Sequence, residues 1–131
     1  MLHINIICIG KLKEQYLKDA LNEYSKRLYK YCSLKIIELP DEKVPENLNA
    51  NIINKIKEIE SNILSHIKNN SYTIALDLHG KQLSSEEFSL KIENIALNNN
   101  SNINFIIGGT LGLSDKLLKQ ATELISFSKM T

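Results

Sequence analysis

The sequence predicts an α/β fold, a mostly parallel five-stranded sheet with helices on both faces. Three observations carry this. Short apolar runs alternate along the chain with longer segments of helical periodicity, which is the βαβ pattern. Several of the short runs are apolar at nearly every position, as strands buried on two faces must be. The chain has 131 residues, 43% of them hydrophobic, which suits one domain with one core.

The first strand is Leu2 to Ile9, apolar on one face and nearly so on both, and it ends at Gly10. From Lys13 to about Lys30, Leu17, Ala20, Leu21, Tyr24 and Leu28 recur at helical spacing, so this helix is expected to pack on the sheet. Leu34 to Leu39 form a second strand, stopped by Pro40. The polar segment Asp41 to Asn51, with Pro45 inside it, is the longest loop and a candidate functional excursion. Ile52, Ile56, Ile59, Ile63 and Ile67 stripe a second helix, terminated by Asn69 and Asn70.

Tyr72, Ile74, Leu76 and Leu78 alternate in a third strand that Gly80 ends. Ser84 caps the next helix, with Glu87 reaching back in a capping box and Phe88, Ile92 and Ile95 as its core face. After a polar turn over Asn98 to Asn102, Ile103 to Ile107 make a buried strand. Gly108, Gly109 and Gly112 break the chain before Ser114 caps a helix striped by Leu117, Leu118 and Ala121. Leu124 to Phe127 read as the fifth strand.

Composition restricts the function classes. The net charge of +1 gives no global basic field, so a nucleic-acid partner must meet a local patch. No apolar run approaches membrane-spanning length and the N-terminus lacks signal-peptide form, so a cytoplasmic location is expected. Cys8 and Cys32 stand far apart without a metal-binding spacing, and packed free thiols are expected of them; no metal site is expected.

In a sheet of this kind ligands sit outside the carboxyl ends of the strands, which selects three loops: His79 to Ser84, Gly108 to Leu113 and Phe127 to Thr131. A phosphorylated-aspartate receiver would need acidic residues after the first strand, where Cys8, Ile9 and Gly10 stand. Asp77 is therefore expected to be a hydrogen-bonded carboxylate at a strand end. Gly10-Lys11-Leu12 has neither P-loop nor dinucleotide spacing. Gly108-Gly109-Thr110-Leu111-Gly112 lets backbone approach a flat ligand closely, although a glycine turn taken alone is more often only a turn. His79 is the one histidine at this edge, and the expectation for it is a solvent-facing side chain.

Five motifs occur in order: Gly10-Lys11; Pro40-Asp41-Glu42-Lys43; Leu76-Asp77 with Gly80-Lys81 and Ser84-Ser85-Glu86; Phe105 to Gly109 with Gly112; and Ser126 to Thr131. Together they resemble the bacterial large-subunit ribosomal RNA pseudouridine N3-methyltransferases, a small branch of the SPOUT or α/β-knot class, along essentially the whole chain. The resemblance implies a homodimer that binds S-adenosylmethionine and methylates N3 of a pseudouridine on the assembled ribosome. It implies cofactor contacts by Leu76, Gly108, Phe127, Ser128, Lys129, Met130 and Thr131. No general base is named by this pattern.

Members of that family continue past the Met-Thr pair into a loop and helix that thread the knot, cover the cofactor and add dimer contacts, whereas this sequence stops at Thr131. The expectation is a single SPOUT-like domain over residues 1–131, truncated, its trefoil knot incomplete and its activity lost. The rival reading is a non-catalytic RNA-binding or dimerisation module in which Lys11, Lys13 and Lys81 grip phosphate. A flavodoxin-like nucleotide binder is a third.

Overall fold

The computed structural model describes residues 2–41, 50–98, 101–108 and 113–127, with the side chains of 50–53 excepted. The elements run β1 (Leu2–Ile9), α1 (Gln15–Leu28), β2 (Cys32–Leu39), α2 (Ala50–Ser65), β3 (Tyr72–Gln82), α3 (Ser85–Leu97), β4 (Asn102–Ile107), α4 (Asp115–Gln120) and β5 (Glu123–Ser126). The strands form one sheet in the order β2-β1-β4-β3-β5. Every pairing is parallel.

This order follows from connection handedness. The links β1 to β2 and β3 to β4 step one way along the sheet, and the links β2 to β3 and β4 to β5 step the other way. Right-handed crossovers then put α1 and α3 on one face and α2 and α4 on the opposite one. The packing agrees. Ile7 and Ile9 of β1 join Ile63 of α2 and Leu117 of α4 in one core. Leu2, Ile4 and Ile6 pack from the other side of the same strand against a core that holds Ile95 of α3 and Phe105 of β4. The pleat sends alternate residues to opposite faces, which is why β1 carries apolar side chains on both, with His3 and Asn5 as its polar exceptions.

The helix starts are chemically local. Ser84 Oγ accepts from Glu87 N at 3.1 Å while Glu87 Oε1 accepts from Ser84 N at 3.1 Å, the capping box expected from the sequence. Ser114 Oγ accepts from Leu117 N at 3.2 Å and caps α4. Cys8 and Cys32 are free thiols. One polar chain runs through the interior: Asn5 Nδ2 donates to Asn104 Oδ1 at 3.1 Å, and Asn104 Nδ2 donates to Ser71 Oγ at 2.8 Å and Thr73 Oγ1 at 3.3 Å. Asn104 is 1% exposed, so these bonds replace the water it loses.

Four expectations need correction. Helix α1 contributes no buried residue, and Leu28, Tyr24 and Leu17 of its stripe are all exposed. The cause is topological: α1 links β1 to the edge strand β2 and packs against that strand at the margin of the sheet. Strand β3 does not stop at Gly80 but continues to Gln82 after a shift in its pairing with β5. Helix α2 ends at Ser65, ahead of the asparagines, and Asn70 turns the chain with a left-handed φ of 65°. Finally, Ala50 and Asn51 belong to α2, and the remainder of the proposed excursion, 42–49, lies outside the described residues.

Candidate active site

With all strands parallel, their carboxyl ends gather at one edge. The chain leaves β4 towards the α2/α4 face, while it leaves the neighbours β1 and β3 towards the α1/α3 face. A crevice opens where successive connections diverge in this way, so the edge around β4 is the natural ligand position.

Two of the sequence-selected residues flank this position and a third stands one strand further on. The β3–β4 pairing runs to Ala75↔Ile106, which sets Leu76 beside the end of β4 and the following Gly108. Leu76 pairs in turn with Ile125, two residues before Phe127. Leu76, Gly108 and Phe127 therefore come from three adjacent strands at one edge. Leu76 is half-buried and packs on the core that contains Phe105, Gly108 is partly covered, and Phe127 is 64% exposed. The Phe127 ring meets Phe88 edge-on at 6.5 Å, and Phe88 in turn lies 6.0 Å from Phe105. Ser128, Lys129, Met130 and Thr131 lie outside the described residues, as do Gly109 to Gly112.

Leu76, Ile107 and Phe127 also line one groove of about 440 Å³ on the α1/α3 face. Its walls are almost wholly apolar and run back to Leu28, Leu34 and Ile4 at the other end of the sheet. Such walls suit the face of an aromatic ring and offer nothing to a metal ion. Among the described residues no three His, Cys, Asp or Glu side chains come together as metal ligands.

Sequence reasoning missed the excursion that follows Leu76. Strand β3 parts from β5 after Leu76 and rejoins it at Lys81, which pairs with the same Ile125. Asp77 Oδ2 accepts from His79 N at 3.1 Å and folds the excursion back, the strand-end role expected of that carboxylate. The His79 side chain is exposed, also as expected. Gly80 lies so close to β5 that a β-carbon there would meet the Ile125 backbone at 2.7 Å. A glycine before a capping serine resembles an ordinary strand end, and only the repeated pairing to Ile125 reveals the close approach.

Two further anchors went unseen because each joins residues distant in sequence. After β1, Gly10 takes a φ of +114° and donates to Leu39 O at 2.6 Å, and Leu12 N donates to Glu38 Oε2 at 2.9 Å. These bonds hold the turn bearing Lys11 and Lys13 at the ligand edge. Burial and the Glu38 charge push the Cys8 thiol pKa up, so this cysteine stays protonated beside the turn. At the opposite end of β5, Glu123 accepts from Tyr72 Oη and Lys91 Nζ, both at 2.8 Å. Burial opposes the Glu123 charge, but the bonds from Lys91 and Tyr72 and the positive charges of Lys91 and Lys81 outweigh it and hold the pKa below the usual carboxylate range. The cluster ties β5 to β3 and α3, and so fixes the strand that delivers Phe127.

The family model described as "Predicted SPOUT methyltransferase" matches residues 2–131. The chain is 58% identical to the ribosomal RNA large subunit methyltransferase H of Clostridium botulinum (strain 657 / Type Ba4), over 99% of this chain and 82% of that protein. It is 56% identical to the protein of the same name from Clostridium acetobutylicum and 54% identical to ribosomal RNA large subunit methyltransferase H 1 of Clostridium perfringens (strain SM101 / Type A), with the same coverage. An all-parallel sheet whose strand ends bring Leu76, Gly108 and Phe127 together, matched along nearly its whole length, makes this chain a member of the SPOUT methyltransferase family.

Proposed function

We propose that this chain, a single SPOUT-like domain over residues 1–131, transfers a methyl group from S-adenosylmethionine to N3 of a pseudouridine in large-subunit ribosomal RNA, on the ribosome, in the cytoplasm and as a homodimer. The observation that carries the reading is the convergence of Leu76, Gly108 and Phe127 on neighbouring strands beside an apolar groove, in a chain 58% identical to a ribosomal RNA large subunit methyltransferase H. Among the described residues no helix is long and apolar enough to cross a membrane.

The residues present fit the flat, apolar part of such a cofactor. Leu76 and Phe127 offer hydrocarbon and ring surface for the adenine, and Gly108, without a side chain, lets its amide and carbonyl approach the heterocycle edge. Ser128, Lys129, Met130 and Thr131 complete the binding loop in this reading. The bound cofactor supplies an electrophilic methyl on a sulfonium centre. The protein's part is to hold donor and acceptor in line and to keep water out. Leu76, Ile107 and Phe127 exclude water along one wall, and Lys11 and Lys13 on the turn after β1 place positive charge where a nucleotide's phosphates enter.

Calorimetric titration with S-adenosylmethionine tests this reading. The chain binds the cofactor, and Gly108→Val weakens binding at least tenfold, about 1.4 kcal/mol, because the branched side chain occupies the approach to the strand end. Equal heats for the two proteins, or ribosome binding indifferent to both cofactor and substitution, would place the chain among non-catalytic RNA-binding modules.

A further inference from the structure

The α2/α4 face of the sheet carries a cavity of its own. Helices α2 and α4 border a cleft of about 470 Å³, a volume within the range of small-molecule sites. Ile56, Glu60 and Leu64 line it from α2, spaced four residues apart and so along one side of that helix. Leu117 of α4, 2% exposed, belongs to the core at its base, and Lys57 and Lys116 also border it.

Glu60 is the unusual member of this lining. Its Oε1 is buried with no hydrogen-bond partner, the one side-chain oxygen or nitrogen in that state among the described residues. Lys57 stands three residues earlier, within reach of an ordinary helical ion pair. Yet Lys57, Glu60 and Lys116 form no ion pair among the described residues. A carboxylate only accepts hydrogen bonds, so the dry oxygen carries its desolvation penalty until a donor arrives. The last torsion of a glutamate is broad, and the group turns towards a donor in the cleft at little cost.

We infer that this cleft binds a guanine nucleotide, with Glu60 accepting N–H groups of the base and Lys57 and Lys116 meeting the phosphate. Ile56, Leu64 and Leu117 give hydrocarbon to the faces of the ring. The charges select the class of ligand. Two lysines against one glutamate leave the lining at +1, so a plain alkylamine would satisfy Glu60 but face both lysines, whereas a nucleotide brings a donor edge and an anion together. Guanine sets a ring N–H beside its amino group, two donors for two carboxylate oxygens. Uracil sets one N–H between two carbonyl oxygens, and adenine and cytosine set their amino group beside an accepting ring nitrogen, which a carboxylate repels. A free nucleotide and an unpaired guanosine of an RNA chain offer the same chemistry. The cleft stands apart from the candidate cofactor groove, because Leu76 and Phe127 line the α1/α3 face.

The test is calorimetric titration of the full chain with guanosine monophosphate, with amide chemical shifts read on the same samples. Binding moves amides of α2 and α4, persists under saturating S-adenosylmethionine, and exceeds that of uridine monophosphate roughly five- to hundredfold. Glu60→Gln, which is isosteric, removes the guanine preference but keeps the gain of the monophosphate over guanosine. Lys57→Gln/Lys116→Gln removes that gain and keeps the preference, so a folding defect, which would lower both, is told apart. Displacement of the monophosphate by a guanine-containing single-stranded oligonucleotide assigns the cleft to RNA, and its absence assigns the cleft to the free nucleotide. Equal heats for guanosine and uridine monophosphates, shifts confined to the strand ends around Leu76, or both variants binding like the parent overturn the inference. So does the lack of any binding at about 1 mM. S-adenosylmethionine heats on the same samples report separately on the methyltransferase reading, which stands or falls without the cleft.

Discussion

Replacing Gly80 by alanine should loosen the strand that delivers Phe127, although Gly80 is not proposed to touch a ligand. A β-carbon at that position would stand 2.7 Å from both the N and the carbonyl carbon of Ile125 and 2.8 Å from the carbonyl carbon of Leu124. All three are backbone atoms, so no side-chain rotation relieves the contact. Ordinary van der Waals contact begins near 3.4 Å, so β5 must move by about 0.7 Å or the β3 excursion must lift away. Ile125 is 1% exposed and locked into the α3-side core, which makes either response costly. Forced overpacking of this kind costs about 1–3 kcal/mol. In a chain of this length that is a fall in Tm of roughly 3–12 °C. Urea unfolding followed by far-ultraviolet circular dichroism measures the loss, and cofactor titration measures the coupled displacement of Phe127. Gly10→Ala is the informative comparison, because a β-carbon there has Asp41 Cβ at 3.8 Å and is opposed chiefly by the φ of +114°. A Gly80→Ala protein with the unfolding midpoint and cofactor affinity of the parent would refute the argument that β3 and β5 meet at this glycine.

Two other substitutions probe the interior. Burial, the hydrogen bond to Glu123 and the Glu123 charge push the Tyr72 phenol from 10 up to about 12. Its folded pKa is raised, so the stability it confers is complete below pH 10 and is lost as pH climbs through about 12. Stability of the parent should therefore fall in this window by up to about 2 kcal/mol more than that of Tyr72→Phe, which lacks the titrating group; superimposable alkaline stability curves would contradict this. Asn104→Ala strips partners from Asn5, Ser71 and Thr73 and should cost about 2–4 kcal/mol. In a double-mutant cycle with Asn5→Ala the two losses should fall short of additivity by at least about 0.5 kcal/mol, and strict additivity would show that their hydrogen bond contributes nothing.

Local chemistry was legible without coordinates. The strands were readable because β1 and β4 carry apolar residues on both faces around their few asparagines and His3, and the starts of α3 and α4 because Ser84 with Glu87 and Ser114 satisfy amides only a few residues away. The edge at which the strands end together was legible too, since alternating strands and helices imply a parallel sheet. Leu76, Gly108 and Phe127 were selected by motif, and the strand pairing brings them to that edge.

What the one-dimensional pattern left open depends on which strand lies beside which. An amphipathic stripe states that a helix has an apolar side, not that its own sheet will cover it, so α1 looked buried when none of its residues is. The second pairing of β3 with Ile125, the closeness of Gly80 to β5 and the Tyr72–Glu123–Lys91 cluster all join residues more than thirty positions apart. Helix periods and caps arise from forces between near neighbours along the chain and can be read from it. The strand order β2-β1-β4-β3-β5 arises from burial and hydrogen bonding summed over the whole sheet, and only the folded chain decides it.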